Sequence, residues 1–275
     1  MKFDPCCDMW RSWVQKGAAI VCLIVLVACS LDTIPRLAEP TPTSAIYHTQ
    51  PSTGLMTVII DTDMARDDWM AILYLLNRPD VDVKAITVTG TGEAHCVPGV
   101  RNALRLVALA GYHPIPVACG REAPLQGNHV YPQAWRDLVD NLVGLTLPDG
   151  TNPDPGVDAV QLLTQIVQSS PEKVKILALG PLTNLAEAFQ AAPGLVDNIG
   201  WIYIMGGAVH VPGNLRADVS GNTTAEWNIY IDPRAANIVF DSGASVTLVG
   251  LDATNHVPLT MDFYRRLQAA QSASS

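Results

Sequence analysis

Four carboxylates, Asp61, Asp63, Asp67 and Asp68, crowd the stretch Val58-Ile59-Ile60-Asp61-Thr62-Asp63-Met64-Ala65-Arg66-Asp67-Asp68. Like charges packed this closely repel, and each acid is driven toward its protonated form unless a cation or a row of donors neutralises it. Hard divalent ions take carboxylate oxygen, and Ca²⁺ accepts many such ligands in flexible geometry. A metal-dependent site is the economical reading. Helix capping by Asp67 or Asp68, favoured by the positive end of a helix dipole, accounts for one or two of the acids. It leaves Asp61 and Asp63 unexplained.

The elements around the acids say where they stand. Val58, Ile59 and Ile60 read as a buried strand, and the segment after Asp68 as a helix with Met70, Leu73 and Leu76 on one face. Further strands are expected over residues 83–89, 115–118, 173–178, 201–205 and 246–249. Between them lie helices that carry Val100, Leu104, Val107 and Leu109, that open at Asp158, that follow Asn184, and that span residues 233–240. Residues 126–155 are polar, with Pro, Gly and Asn throughout, and are expected to cover the site as a loop and a short helix. Strands alternating with helices indicate an α/β fold with a mostly parallel, doubly wound sheet. In such sheets ligands bind outside the carboxyl ends of the strands. Glu93, Asn184, Asn214, Asn222, Glu226, Asn228 and Asp252 all lie just past a strand or in a long connection. Amides and carboxylates together suit a polyhydroxylated ligand, because a hydroxyl both donates and accepts.

Composition narrows the class. With 275 residues, 48% hydrophobic, the chain can bury a sizeable core, and a formal net charge of -9 argues against a nucleic-acid footprint. Cysteines stand at 6, 7, 22, 29, 96 and 119, with no metal-binding pair spacing. Cys96 and Cys119 can pair only if the fold joins them, and buried free thiols are the expectation. Lys2, Arg11 and Lys16 precede an apolar run over residues 17–28, too short to span a bilayer and suited to a signal peptide. Leu26-Val27-Ala28-Cys29 resembles a bacterial lipobox, which makes Cys29 a lipidation site and the protein an exported, membrane-anchored one. Residues 30–55, rich in Pro, Thr and Ser, read as a tether to a domain over 56–275.

The motifs Asp61-Thr62-Asp63 with Asp67-Asp68, Leu179-Gly180-Pro181-Leu182-Thr183-Asn184, Met205-Gly206-Gly207 and Ala225-Glu226-Trp227-Asn228-Ile229-Tyr230-Ile231-Asp232-Pro233 resemble the inosine/uridine-preferring nucleoside hydrolases. Their order and spacing agree from about residue 56 to residue 259. The resemblance implies Ca²⁺-dependent cleavage of the N-glycosidic bond of ribonucleosides. It implies that Asp63, Asp68 and the backbone carbonyl of Leu179 bind the metal. Asp63 is then also the general base that activates water, and Asp61 supports both from behind. Asp67, Glu93, Asn214, Glu226 and Asn228 are implied as holders of the ribose, with Asn222 an alternative to Asn214. The partner is a small nucleoside, and a homo-oligomer is compatible with the family.

The chain also departs from the family. Met64-Ala65-Arg66 replaces the usual Pro-Gly-Ile within the acidic motif, and Gly92-Glu93 stands where Gly-Asn is common. Family members carry a later aspartate in an Asp-Pro turn that completes the metal site. After the amphipathic stretch over residues 259–270 no such turn follows, so the sequence reads as a shortened domain with weakened metal affinity. A non-catalytic nucleoside- or sugar-binding lipoprotein is the competing expectation. A phosphatase built on the strand-end Asp-x-Asp is weaker, because Lys173 and Lys175 fall at a strand and the Glu226-x-Asn228 segment goes unexplained.

Overall fold

Residues 54–151, 155–215, 219 and 221–272 are described in the computed structural model of the chain. Strand β1 (Met56–Thr62) is buried from Val58 onward. Its neighbours explain why. The six strands are ordered β3-β2-β1-β4-β5-β6, with β2 (Val81–Val88), β3 (Val117–Cys119), β4 (Val174–Ala178), β5 (Ile199–Met205) and β6 (Val246–Val249). Every pairing is parallel. A central parallel strand is covered on both faces and must be apolar on both. Successive side chains of a strand point to opposite faces, and β1 divides accordingly. Val58 and Ile60 enter one core, with Trp69, Ile72, Leu73 and Leu104, while Ile59 enters the other, with Leu163, Ile176, Leu185 and Val239.

Helices α1 (Arg66–Leu76), α2 (Cys96–Leu109) and α3 (Gln133–Asp140) accompany the first half. Helices α4 (Ala159–Ser169), α5 (Thr183–Ala191), α6 (Trp227–Ile231) and α7 (Pro233–Phe240) accompany the second. A short helix α8 (Leu251–Thr254) and the helix α9 (Met261–Ser272) follow β6. The order of strands reverses between β1 and β4, and that switch point opens a crevice at the carboxyl ends of the two strands. Both Asp61 and Leu179 stand there.

The expected doubly wound sheet is present, with shifted boundaries. β2 begins two residues early because Val81 already pairs with Met56. β3 is reduced to three residues between Pro116 and Gly120. Asp158 caps α4 as expected, accepting from the Gln161 amide. On α1 the buried apolar positions are Trp69, Ile72, Leu73 and Leu76, and Met70 is half-buried. Among the described residues no helix is long and apolar enough to cross a membrane. The proposed lipidation residue Cys29 and the tether to residue 53 lie outside the described residues.

The expectation of free thiols is overturned. Cys96 and Cys119 form a disulfide, with Cα atoms 5.5 Å apart. The sequence could not show this because the pairing depends on where β3 ends. Pairing with β2 carries Cys119 opposite Val88, beside the start of α2, where Cys96 is the first residue. Closing a loop of this length is worth about 3 kcal/mol through the entropy of the unfolded chain. Non-reducing digestion should therefore yield a Cys96–Cys119 cross-linked peptide, and Cys96→Ser with Cys119→Ser should lower urea-unfolding stability by about 3 kcal/mol.

Candidate active site

The turn after β1 builds the site. Met64 is fully buried with φ of 61°, a left-handed conformation that costs a side-chain-bearing residue energy and persists because its surroundings hold it. Its amide donates to the Thr62 hydroxyl (2.9 Å), and its carbonyl accepts from the Trp69 indole (2.7 Å). The chain thus reverses at once into α1, and Asp68 on its first turn is brought back against the strand end. Ala65 occupies the helix N-cap with no side-chain hydrogen bond, so neither Asp67 nor Asp68 caps α1. Capping does not explain these acids.

Three of them are buried. Asp61 is fully buried, its Oδ1 accepting from the Thr87 hydroxyl (2.6 Å) and the Asn184 amide (2.8 Å). Its Oδ2 has no partner. Burial raises the carboxyl to about 7, outweighing the two donors. Asp63 accepts from the backbone amides of Ala65 (3.3 Å) and Glu93 (3.1 Å). Burial lifts it to about 6, and Asp68, its hydrogen-bond partner, well above the usual range. The charge of Asp63 adds to the rise at Asp68. Asp68 also takes the Thr62 hydroxyl (2.6 Å).

Asp63 is wedged between two glycines. A Cβ at Gly92 would land on the Asp63 side chain, and one at Gly180 would lie 2.9 Å from its backbone nitrogen. Both turns must lack a side chain for the carboxylate to sit there. The loop that carries Gly92 is fastened from α3. Arg136, nearly buried, donates to the carbonyls of Gly90 (3.0 Å) and Ala94 (3.3 Å). Asp140 accepts from the His95 backbone amide (3.0 Å) and contacts its imidazole (2.6 Å). Glu93 is raised to about 8, first by burial and then by Asp63 and Asp67, with Arg66 pulling it down.

From β4, the Leu179 amide donates to the Asp61 carbonyl (2.8 Å), and its own carbonyl accepts from Asn228 Nδ2 (2.8 Å). Glu226 is the N-cap of α6, accepting from the amides of Asn228 and Ile229, and it also holds the Gly207 amide. Burial raises its carboxyl. Asn214 accepts from the Trp227 amide (3.1 Å), next to Glu226. Asn222 accepts from Thr224 and Ala225 and serves its own turn. Asp67 is exposed, yet its charge is felt by Asp63, Asp68, Glu93 and Glu226. Asp252 pins the amides of Val209 and His210, which lower its carboxyl.

Thr62, Thr87, Arg136 and Tyr131 complete the surroundings and were not read from the sequence as part of the acidic site. Tyr131 belongs to a strap over residues 125–131 buckled to the end of α6. The Leu125 amide donates to Asp232 (2.8 Å), His129 contacts the Tyr230 carbonyl (2.6 Å), and the Tyr131 hydroxyl donates to Asn228 Oδ1 (2.7 Å). The rings of His129 and Tyr230 stack at 4.0 Å and those of Tyr131 and Trp227 at 5.0 Å.

Two buried carboxyls, both pushed up by burial, beside a carbonyl with a lone pair to spare, fit a hard cation. Among the described residues no three His, Cys, Asp or Glu side chains form a closed cage. The fit is to an ion that takes Asp63, Asp68 and the Leu179 carbonyl, with further oxygens from water or ligand.

Comparisons with known proteins agree with the fold. Residues 58–275 match the family described as inosine-uridine preferring nucleoside hydrolase. Uridine nucleosidase 1 of Arabidopsis thaliana is 39% identical over 205 residues, 74% of this chain and 59% of that protein. Pyrimidine-specific ribonucleoside hydrolase RihA of Citrobacter koseri is 38% identical over 224 residues, 78% of this chain and 66% of that protein. Among solved structures, the inosine-uridine preferring nucleoside hydrolase from Bacillus anthracis superposes with a TM-score of 0.70 at 25% identity, covering 79% of this chain and 72% of that one. The purine-preferring ribonucleoside hydrolase from Gardnerella vaginalis gives a TM-score of 0.65 at 34% identity, covering 74% and 63%. The fold and the strand-end acids define a nucleoside hydrolase-like α/β protein. The chain belongs to the inosine-uridine preferring nucleoside hydrolase family, and it spans 59% and 66% of the two relatives named first.

The raised acids carry a sign. Ionising Asp61 and Asp63 costs the folded state more than the unfolded chain, where carboxylates titrate near 4. Without a cation, stability should fall as pH rises from about 4 toward the folded values of about 6 and 7, and the cost is complete above them. An added hard divalent cation should therefore raise Tm at pH 8 and do little at pH 4.5, where protons hold the site. Differential scanning calorimetry with and without chelator checks this.

Proposed function

We propose that the protein hydrolyses the N-glycosidic bond of ribonucleosides with the help of Ca²⁺, giving ribose and free base. The observation that carries this reading is the buried Asp63–Asp68 pair at the β1/β4 switch point. A bound Ca²⁺ would be held by Asp63, Asp68 and the Leu179 carbonyl, would acidify a water and would orient the sugar diol.

The chain's own residues do the rest. Asp63, held in place between Gly92 and Gly180, is the carboxylate that takes the proton of the attacking water. The water oxygen bonds to C1′ as the bond from C1′ to the base nitrogen breaks, and the base leaves with that electron pair. Positive charge grows on the ribose ring in passing, and the carboxylates of Glu226 and Asp67 stabilise it. Asp61, beneath the pair and tied to Thr87 and Asn184, keeps the strand end in place. Gly92 and Gly180 exclude the side chains that would displace Asp63. Asn214 and Asn228 face the ribose hydroxyls. Both relatives named first bear pyrimidine-nucleoside names, which makes uridine the first substrate to try.

The Cys96–Cys119 disulfide fits a protein that folds in an oxidising compartment. It supports the reading of residues 1–29 as an export signal, while lipidation at Cys29 rests on the lipobox-like Leu26-Val27-Ala28-Cys29. Radiolabelled palmitate should be incorporated in a bacterial host and lost in Cys29→Ser; incorporation that persists in that variant sinks the lipid-anchor reading.

The full chain, in detergent, should release ribose from uridine in a chelator-sensitive reaction, and Asp63→Ala should lower kcat by about a thousandfold or more while the protein still folds. A fully active Asp63→Ala protein sinks the assignment. A folded wild type that binds ribose and releases none from uridine or inosine is a nucleoside-binding lipoprotein.

A further inference from the structure

Asn228 has a limited number of hydrogen bonds to offer, and the structure spends most of them. Its side-chain amide carries two N–H donors and an oxygen with two lone pairs. One donor goes to the Leu179 carbonyl (2.8 Å) and the other to the Met205 carbonyl (3.1 Å). Two carbonyls can be faced only by the nitrogen, so the amide cannot be turned over. The oxygen then points the other way and receives the Tyr131 hydroxyl (2.7 Å). One lone pair of Oδ1 remains.

Tyr131 is equally committed. It is buried, its ring lies against Trp227, and its hydroxyl must donate because Asn228 offers only an acceptor. Burial holds the phenol well above its usual range, and the charges of Asp63, Glu226, Glu93 and Asp68 push the same way. The bond joins the strap over residues 125–131 to the ends of β4 and β5, where Leu179 and Met205 stand.

We propose that Tyr131 is a positioning residue: the two backbone carbonyls make Asn228 an acceptor toward the site, and Tyr131 takes one lone pair of its oxygen and so aims the other, so that this wall of the site admits a sugar hydroxyl and rejects a ligand lacking one there. The inference rests on the nucleoside hydrolase reading for the identity of the ligand as a ribose. The arrangement itself is a matter of donor and acceptor count. A hydroxyl can donate to the remaining lone pair of Asn228 Oδ1. A hydrogen in its place leaves that lone pair buried and unmet, which costs binding.

Tyr131→Phe removes the hydroxyl and keeps the ring on Trp227. The freed Asn228 oxygen can then rock and take water, so the variant should lose discrimination more than turnover. For the full-chain protein, kcat and KM are measured with uridine and its 2′-, 3′- and 5′-deoxy forms. Calorimetric affinities are measured in parallel for D-ribose and its 2-, 3- and 5-deoxy forms. The wild type should reject one deoxy position strongly. Tyr131→Phe should reduce that one ratio by about tenfold, raise KM for uridine and leave kcat within about threefold. A uniform fall in kcat with every ratio unchanged means that Tyr131 is merely structural and overturns the proposal. So does a variant identical to wild type. Ribose affinities that show the lost discrimination in a protein that releases no ribose from nucleosides uphold the role of Tyr131 and defeat the hydrolase reading alone. A wild type that binds neither ribose nor uridine defeats both.

Discussion

Everything at the strand ends follows from burying carboxylates side by side. Asp61, Asp63 and Asp68 are shielded from water, and each is pushed toward its protonated form by that burial. No fold accepts this cost without directing donors at the acids or giving them a cation to share. The chain does the first through Thr62, Thr87, Asn184 and the amides of Ala65 and Glu93. It leaves the second open between Asp63 and Asp68. The neighbouring features are consequences: glycines on both sides of Asp63, a left-handed Met64 that turns the chain back, and an arginine on α3 that grips the loop opposite.

Much of this was legible in the residues. A β-branched run ending in acids can only be a buried strand reaching a crevice, and the structure puts β1 at the centre of the sheet, beside the switch point. Pro233–Phe240 and Val246–Val249 fall where proline, periodicity and β-branching place them. The family motifs drew Leu179, Glu226 and Asn228 toward the acids before any geometry was known, and the structure gathers these residues around them.

What escaped the sequence depends on contacts between distant segments in irregular structure. The disulfide turns on the register of a three-residue strand, which no periodicity announces. Arg136 looks like an ordinary helix cation, and only the docking of α3 against the loop over residues 90–95 buries it. Tyr131 is an aromatic residue in a proline-flanked connection, suited to stacking as far as type alone can say. Its hydroxyl acquires a role only because Asn228 has already given both amide hydrogens to backbone carbonyls. The same ledger shows Glu226 in two capacities, cap of α6 and acid of the site, which residue type cannot separate.

The buckle between the strap and the end of α6 also bears on the order of assembly. Its three bonds, from Leu125, His129 and Tyr131, join residues 107, 101 and 97 positions apart in the chain. Contacts of such long range close late in folding, after the local strand and helix pairings on either side of the switch point. The strap pairs with no strand and is held to the segment after Glu226 by these few bonds, so it belongs to the low-stability end of the molecule, where segments open without melting the sheet. In native-state hydrogen exchange the amide of Leu125 would trade its proton long before those of β1 and β4, and the crevice would breathe while its floor stayed closed.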